Sequence, residues 1–169
     1  MKKVLFVCSG NTCRSPMAQA VFNAVAEKRG LDAVAFSAGL YTQDGLPYAA
    51  NTVEVLRDNG ISLSGTSKQI TDTMLTECDI VFGLTYSINT ALVAAFPEYQ
   101  DKIYRFPLEV PDPFGGDIML YRRSLIKITD GVEKILFHLF YSFCFRRCKD
   151  TLFSLTRAFL FDKIKFLTQ

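Results

Sequence analysis

The sequence predicts an α/β fold of three layers, in which a four-stranded parallel sheet is flanked by helices. Short apolar segments rich in β-branched and aromatic residues alternate with longer stretches of helical periodicity, and turn-forming residues separate them. Parallel strands joined by helical crossovers bind ligands beyond their carboxyl ends. The residues that directly follow the strands are therefore the candidates for a functional site.

Four segments have the continuous apolar composition of strands buried on both faces, namely residues 4–7, 34–37, 79–84 and 103–106. Helical spacing predicts helices over residues 16–29, 47–59 and 87–96. A longer helix is expected to begin after Asp117, its N-cap. Its apolar stripe consists of Ile118, Tyr121, Leu125, Ile128, Val132, Ile135, Leu136 and Leu139.

The connection from the first strand to the first helix has the composition of a phosphate-binding loop, Cys8-Ser9-Gly10-Asn11-Thr12-Cys13-Arg14-Ser15. Successive backbone N–H groups at a helix N-terminus bind a phosphoryl dianion, and Gly10 and Asn11 tolerate the backbone conformations that such a loop needs. Arg14 offers a planar fork for two phosphate oxygens. The same positive surroundings favour a nucleophilic thiolate at Cys8, and Ser15 can donate a hydrogen bond to it.

A cysteine at a strand end is also a common core residue, and this is the alternative interpretation of Cys8. The order of cysteine, glycine, asparagine, arginine and serine between a buried strand and a helix favours the catalytic interpretation.

Residues 6–18 resemble the signature of the low-molecular-weight protein tyrosine phosphatase family. The likeness continues in Ser37-Ala38-Gly39, Lys68-Gln69-Ile70-Thr71 and Asp112-Pro113-Phe114-Gly115-Gly116-Asp117. The resemblance covers residues 3–137 and implies a phosphatase domain over residues 1–137. Such an enzyme hydrolyses phosphorylated protein side chains through a phosphocysteine, without a metal or cofactor.

The resemblance implies that Cys8, Arg14 and Asp112 are the catalytic residues, with Asp112 as general acid and base. Taken alone, a carboxylate before proline is better explained by a turn, but together with the cysteine loop the catalytic interpretation is favoured. The residues implied to bind phosphate or support the loop are Ser9, Gly10, Asn11, Thr12, Cys13, Ser15 and Ser37.

In the family, Asn11, Ser15 and Ser37 correspond to a hydrogen-bonded network that stiffens the loop. Many members add a histidine at the position of Gly65, so loop rigidity is expected to differ in this chain. Cys13 has two interpretations: a partner for Cys8 in a reversible disulfide, as the family implies, or a small buried residue at the helix start.

In the family, the residue at position 12 is expected to face the substituent of the phosphate, and most tyrosine-directed members have an aliphatic residue there. Thr12 instead resembles the bacterial protein arginine phosphatases, as does the whole run of residues 10–18. Its hydroxyl can orient the attack or hydrogen-bond the guanidinium of phosphoarginine. Tyrosine phosphatases often have two tyrosines after the Asp-Pro pair, where this chain has Phe114 and a glycine. Phe114 and Tyr41 are the candidate aromatic walls. Phosphoarginine is favoured, and phosphotyrosine remains open.

Other classes of protein have a similar loop. Arsenate reductases coupled to thioredoxin need two further cysteines after the third strand, and residues 85–97 contain none. A phosphocysteine carrier of the sugar phosphotransferase type has no use for Arg14 or Asp112. A non-catalytic phosphate-binding module would not need every catalytic position to be filled.

The net charge of +2 indicates no nucleic-acid partner, and no apolar stretch is long enough for a transmembrane segment. The N-terminus does not resemble a signal peptide. Five cysteines lack the spacing of a disulfide framework, so we predict a cytoplasmic protein with reduced thiols. The oligomeric state is not specified.

Residues 138–169 form an aromatic and basic C-terminal extension, with six Lys or Arg, two Asp and seven Phe. Four interpretations are open: a helix packed on the protein, an oligomer contact, contact with a membrane surface, or an unnatural extension from a change of reading frame. Packing against the protein is the commonest fate of such a stripe. Cys144 and Cys148 are one helical turn apart, but without further ligands they predict no metal site.

Overall fold

The structure is a computed structural model of the chain and describes residues 1–141. Its strands are β1 (Lys2–Cys8), β2 (Ala33–Gly39), β3 (Ile80–Gly83) and β4 (Ile103–Arg105). They form one parallel sheet in the order β2-β1-β3-β4, which confirms the predicted sheet.

The helices are α1 (Arg14–Lys28), α2 (Ala50–Asp58), α3 (Asp72–Glu77), α4 (Tyr86–Ala95) and α5 (Ile118–Leu136). A 3₁₀ helix (Pro97–Lys102) precedes β4, and a π-helical turn (Phe137–Tyr141) follows α5.

Aromatic side chains fill one face of the sheet. Phe6 of β1 contacts Phe22 of α1, with ring centroids 5.8 Å apart, and Phe106 after β4, with centroids 6.1 Å apart. The Phe106 ring in turn packs against the backbone of Gly131 in α5. Helices α1 and α5 therefore cover this face.

Aliphatic side chains fill the opposite face. Leu5 and Val7, which alternate with Phe6 along β1, pack with Leu75 of α3 and with Ile88 and Leu92 of α4. The sheet is thus buried between two helical layers, which confirms the predicted three-layer class.

One helix begins later than predicted, and another was not predicted. Helix α2 begins at Ala50 rather than at residue 47, because Pro47 forms a bridge with Thr66 and Ala49 is extended. Helix α3 was not predicted, since six residues are too few to display a helical period.

The start of α5 agrees with the prediction. Asp117 caps the helix, and its Oδ1 accepts the N–H of Leu120 at 3.0 Å. Of the predicted stripe, Tyr121, Leu125 and Ile128 are buried, while Ile118 is half-buried.

The chain divides into two compact units after Ile135, and the unit Met1–Ile135 contains the whole sheet. The predicted domain limits of 1–137 and 138–169 remain a prediction, because residues 142–169 lie outside the described residues.

Candidate active site

Cys8 lies at the carboxyl end of the parallel strands, where the site was predicted. It is the last residue of β1 and is paired with Gly39, the last residue of β2. Leu84, directly after β3, donates its N–H to the Val7 carbonyl at 3.0 Å. The Cys8 side chain is buried, so the sheet holds the thiol at the base of the loop.

Asn11 stabilises the turn of the loop. It is fully buried and, among residues 1–141, is the one non-glycine residue with a positive φ, 50°. Its Nδ2 donates to Ser15 Oγ at 2.9 Å, and its Oδ1 accepts the Lys68 N–H at 2.8 Å. These bonds maintain a conformation that asparagine tolerates better than most L-residues.

Ser15 connects Asn11 to the thiol. Its Oγ lies 3.0 Å from Cys8 Sγ and 3.2 Å from the Ala38 carbonyl oxygen. A serine hydroxyl has one hydrogen to donate, and a charged thiolate is a stronger acceptor than a neutral carbonyl. This geometry allows the expected hydrogen bond from Ser15 to a thiolate at Cys8.

The loop backbone has unused hydrogen-bond donors. No N–H group from Ser9 to Cys13 donates to another residue within the described part of the chain. Cys13 is the N-cap of α1, whose first turn has neither a side-chain cap nor an acidic residue. Free N–H donors beside the positive end of a helix dipole are suited to binding phosphate.

The Arg14 side chain is only 6% exposed. Its Nη2 donates to Asp112 Oδ2 at 2.6 Å, and its Nη1 donates to the Val110 carbonyl at 3.5 Å. The buried Nε has no hydrogen-bond partner among residues 1–141. An unpaired buried donor is costly, so an anion that accepts a hydrogen bond from this Nε–H would be bound favourably.

Asp112 reaches the site from the loop between β4 and α5. Its Oδ1 accepts the N–H of Phe114 at 3.2 Å, which forms a local turn, while Oδ2 pairs with Arg14. The carboxylate is half-exposed, so solvent can reach it. Two segments far apart in sequence, the loop after β1 and the loop after β4, thus bring Cys8, Arg14 and Asp112 into one site.

A cavity of about 490 Å³ opens at the loop. Nine predicted site residues line it: Cys8, Ser9, Gly10, Thr12, Cys13, Arg14, Tyr41, Asp112 and Phe114. Tyr41 and Phe114 are 69% and 72% exposed, so both rings are available to contact a substrate.

Sequence reasoning missed three residues of the lining, Thr42, Gln43 and Leu46. They follow the carboxyl end of β2, and this position was the signal that could have identified them. Asn11 and Ser15 are absent from the lining because they support the loop from below, where both are fully buried.

Ser37 lies outside the predicted network. Its hydroxyl donates to Gln19 Oε1 of α1 at 2.6 Å. Side chains alternate along a strand, so Ser37 points to the α1 side. Ser15 contacts the Ala38 carbonyl and Cys8 rather than Ser37. The predicted network of Asn11, Ser15 and Ser37 is therefore corrected to one of Asn11, Ser15 and Cys8.

Gly65 occupies the position where many family members are expected to have a histidine, and its φ is 115°. A Cβ there would lie 3.5 Å from Tyr48 Oη. Burial raises the pKa of Tyr48, and a hydrogen bond with Ser37 partly opposes this. A neutral phenol therefore lies beside Gly65, in van der Waals range of a Cβ at that position.

Cys8 and Cys13 are both free thiols. Cys13 Sγ lies 3.4 Å from the Tyr121 hydroxyl oxygen and 3.5 Å from Thr12 Oγ1. Burial, together with Cys13, raises the pKa of Tyr121, so this phenol keeps its proton. Cys13 thus has a packing role in the reduced protein, and the reversible disulfide stays a prediction.

No group of three or more His, Cys, Asp or Glu side chains that could hold a metal ion occurs within residues 1–141. In the same part of the chain, no helix is long and apolar enough to cross a membrane. Cys144, Cys148 and most of the aromatic extension lie outside the described residues.

Residues 3–142 match the family described as low molecular weight phosphotyrosine protein phosphatase. The chain belongs to this family. A protein-arginine-phosphatase of Bacillus subtilis (strain 168) is 33% identical over 140 residues, which cover 79% of this chain and 91% of the relative.

Solved structures of the same family have the same fold. A low molecular weight protein tyrosine phosphatase from T. tengcongensis is 36% identical with a TM-score of 0.77, and the match covers 80% of this chain and 98% of that one. The YwlE arginine phosphatase from Geobacillus stearothermophilus is 29% identical with a TM-score of 0.76, and covers 82% and 93%. Family membership confirms the predicted enzyme class, a phosphatase of phosphorylated proteins.

Gly39 packs closely against the phosphate loop of this phosphatase, and a substitution there tests whether that close contact is needed. A Cβ there would lie 2.8 Å from the Ser9 carbonyl oxygen, 2.7 Å from Thr42 Cγ2 and 3.1 Å from Asn11 Cβ. Gly39→Ala must therefore displace the loop backbone. We expect kcat/KM for para-nitrophenyl phosphate to fall by about 100-fold, the effect of a misplacement of about 1 Å.

Gly30→Ala is the matched control. Gly30 follows the end of α1, outside the cavity lining, and no atom lies within 4 Å of an added Cβ. Its positive φ predicts a loss of thermal stability with turnover retained. Equal turnover in Gly39→Ala and the wild type would show that the loop tolerates the displacement.

Proposed function

We propose that this protein hydrolyses phosphorylated protein side chains in two steps through a phosphocysteine on Cys8, with phosphoarginine as the preferred substrate. The observation that carries the proposal is the meeting of a thiol, a buried arginine and a carboxylate in one cavity whose backbone N–H donors are unused. Each group supplies what one step of phosphoryl transfer requires.

In the first step, the Cys8 thiolate attacks phosphorus while the loop N–H groups and Arg14 bind the phosphate oxygens. The bond from phosphorus to the leaving oxygen or nitrogen breaks, and Asp112 gives that atom a proton. In the second step, Asp112 removes a proton from water, the water oxygen bonds to phosphorus, and the phosphorus–sulfur bond breaks. Ser15 stabilises the thiolate that leaves.

The ion pair of Arg14 with Asp112 belongs to the substrate-free site. A substrate phosphate that binds to Arg14 competes with the Asp112 carboxylate for the same guanidinium. Its binding would therefore release Asp112 to face the leaving group, which is the position that general acid catalysis requires.

The preference for phosphoarginine is supported by Thr12. Its carbonyl accepts the Ala49 N–H at 3.0 Å and the Thr52 hydroxyl at 3.2 Å, so the start of α2 holds its backbone in place. The distance of 3.5 Å from Thr12 Oγ1 to Cys13 Sγ leaves the hydroxyl able to bond a guanidinium. Two of the similar proteins above are arginine phosphatases.

Thr12→Ile tests this preference. We expect the ratio of kcat/KM for phosphoarginine protein to kcat/KM for phosphotyrosine protein to exceed one in the wild type and to fall about tenfold in the variant. That change corresponds to about 1.4 kcal/mol, the size of one hydrogen bond. The measurement is release of inorganic phosphate from the two substrates.

Thr73→Ile, the same exchange on α3 outside the cavity lining, should leave the ratio unchanged. A wild-type preference for phosphotyrosine would favour the second candidate, in which the exposed Tyr41 and Phe114 rings flank the substrate ring. An unchanged ratio in Thr12→Ile would contradict the role of Thr12 alone.

We also propose a cytoplasmic, reducing setting. The described cysteines Cys8, Cys13 and Cys78 are all free, and the attacking thiol must stay reduced for turnover.

A further inference from the structure

A buried serine lies next to the cavity but outside its lining. Ser67, in the connection between α2 and α3, is fully buried although it belongs to no helix or strand. The Ser67 Oγ accepts the Leu46 N–H at 2.9 Å and donates to the Gln43 carbonyl at 2.7 Å. The hydroxyl therefore bridges two residues that line the cavity.

The backbone of Ser67 bonds to the same stretch. Its N–H donates to the Leu46 carbonyl at 2.8 Å, and its carbonyl accepts the Gly45 N–H at 3.0 Å. Gln43 and Leu46, which we call the distal wall, are thus held by a residue that does not touch the cavity.

The next residue along the chain contacts the phosphate loop. The Lys68 N–H donates to Asn11 Oδ1 at 2.8 Å, and the Lys68 carbonyl accepts the Gly39 N–H at 2.8 Å. Asn11 in turn bonds Ser15, which contacts Cys8. Two consecutive residues therefore connect the distal wall to the loop that binds phosphate.

The beginning of the same cavity-lining stretch is held differently. Leu40 donates its N–H to the Cys8 carbonyl, and Tyr41 donates to the Ser9 carbonyl, both at 2.9 Å. Tyr41 is thus positioned by the phosphate loop itself, whereas Gln43 and Leu46 are bonded by Ser67. The Gln69 N–H adds a bond to Asp44 Oδ1, between them, at 2.6 Å. Loss of the Ser67 hydroxyl should move the wall without moving the loop.

We propose that Ser67 is a positioning residue for substrate recognition: its hydroxyl sets the distal wall at the distance from the phosphate loop that a phosphorylated protein chain requires. This rests on the proposed function. Gln43 and Leu46 line the cavity but belong neither to the phosphate loop nor to the loop of Asp112. They would therefore contact the substrate's side chain and flanking chain rather than its phosphoryl group. Ser67 consequently acts on protein substrates more than on small aryl phosphates.

The test compares Ser67→Ala with the wild-type full-length chain on para-nitrophenyl phosphate and on a phosphoarginine protein. We expect KM for the protein to rise about fivefold to tenfold, because both hydrogen bonds of the hydroxyl to the distal wall are lost. For para-nitrophenyl phosphate, kcat should fall by no more than about twofold, because the phosphate loop keeps its own bonds. Ser64→Ala, an exposed serine in the same connection, is the control expected to change neither constant.

A double-mutant cycle with Leu46→Ala separates positioning from a general effect on the fold. If Ser67 acts through Leu46, the double variant should raise KM no further than the larger single effect. Additive effects on KM would overturn the proposal, as would equal losses of kcat on both substrates in Ser67→Ala. An unchanged KM in Leu46→Ala would overturn it even if Ser67→Ala did not fold. Absence of any turnover by the wild type would instead contradict the proposed function.

Discussion

Cys8→Ser is expected to reduce turnover of para-nitrophenyl phosphate by at least about four orders of magnitude, the scale seen when a covalent nucleophile is removed. The thiol sits at the base of the loop within 3.0 Å of the Ser15 hydroxyl. A serine oxygen there would keep its proton at neutral pH and attack phosphorus poorly. The measurement is the initial rate, together with phosphate binding by the folded variant.

Cys78→Ala is the matched control for loss of a buried thiol. Cys78 ends α3 on the other face of the sheet, and burial raises its pKa, so this thiol stays protonated and unreactive. Turnover should be retained in this variant. Substantial turnover by Cys8→Ser would rule out the phosphocysteine and leave a water molecule as the direct attacking group.

Asp112→Asn is expected to lower kcat by about 10²- to 10⁴-fold on protein substrates, since an amide neither gives nor takes the proton that each step requires. KM should change little. The variant also removes the ion pair with Arg14, so inorganic phosphate should inhibit it at least as strongly as it inhibits the wild type. Both quantities come from steady-state kinetics.

Asp117→Asn controls for the loss of a carboxylate in the same loop. Asp117 caps α5, and asparagine is an equally good N-cap, so this variant should match the wild type. If Asp112→Asn retained wild-type kcat, another group would have to supply the proton. Weaker inhibition by phosphate would contradict competition between phosphate and Asp112 for Arg14.

The predictable part of the site follows from strand ends. Cys8 and Arg14 belong to a single loop after β1, and Asp112 follows β4, so a parallel sheet brings them to one edge. Helix α3 was not predicted because its six residues are too few to display a helical period.

Other features of the site depend on the direction of a side chain and on which groups near it can form hydrogen bonds. Ser37 matches the family's pattern by position, yet its hydroxyl bonds Gln19 because strand side chains alternate. Nothing near Ser67 in sequence marks it as the partner of Gln43 and Leu46, since those bonds join residues more than 20 positions apart.

The amino-acid sequence by itself determined the three-layer α/β class and the phosphate loop, and it predicted that the ends of distant strands meet at one site. Periodicity, loop composition and strand ends are local properties, and local properties can be recognised in a linear chain. Only the tertiary structure decided that Asp112 pairs with Arg14, that Tyr48 lies beside Gly65 and that Ser67 bonds the cavity wall. These are contacts between distant segments, and they depend on how the packed layers orient each side chain.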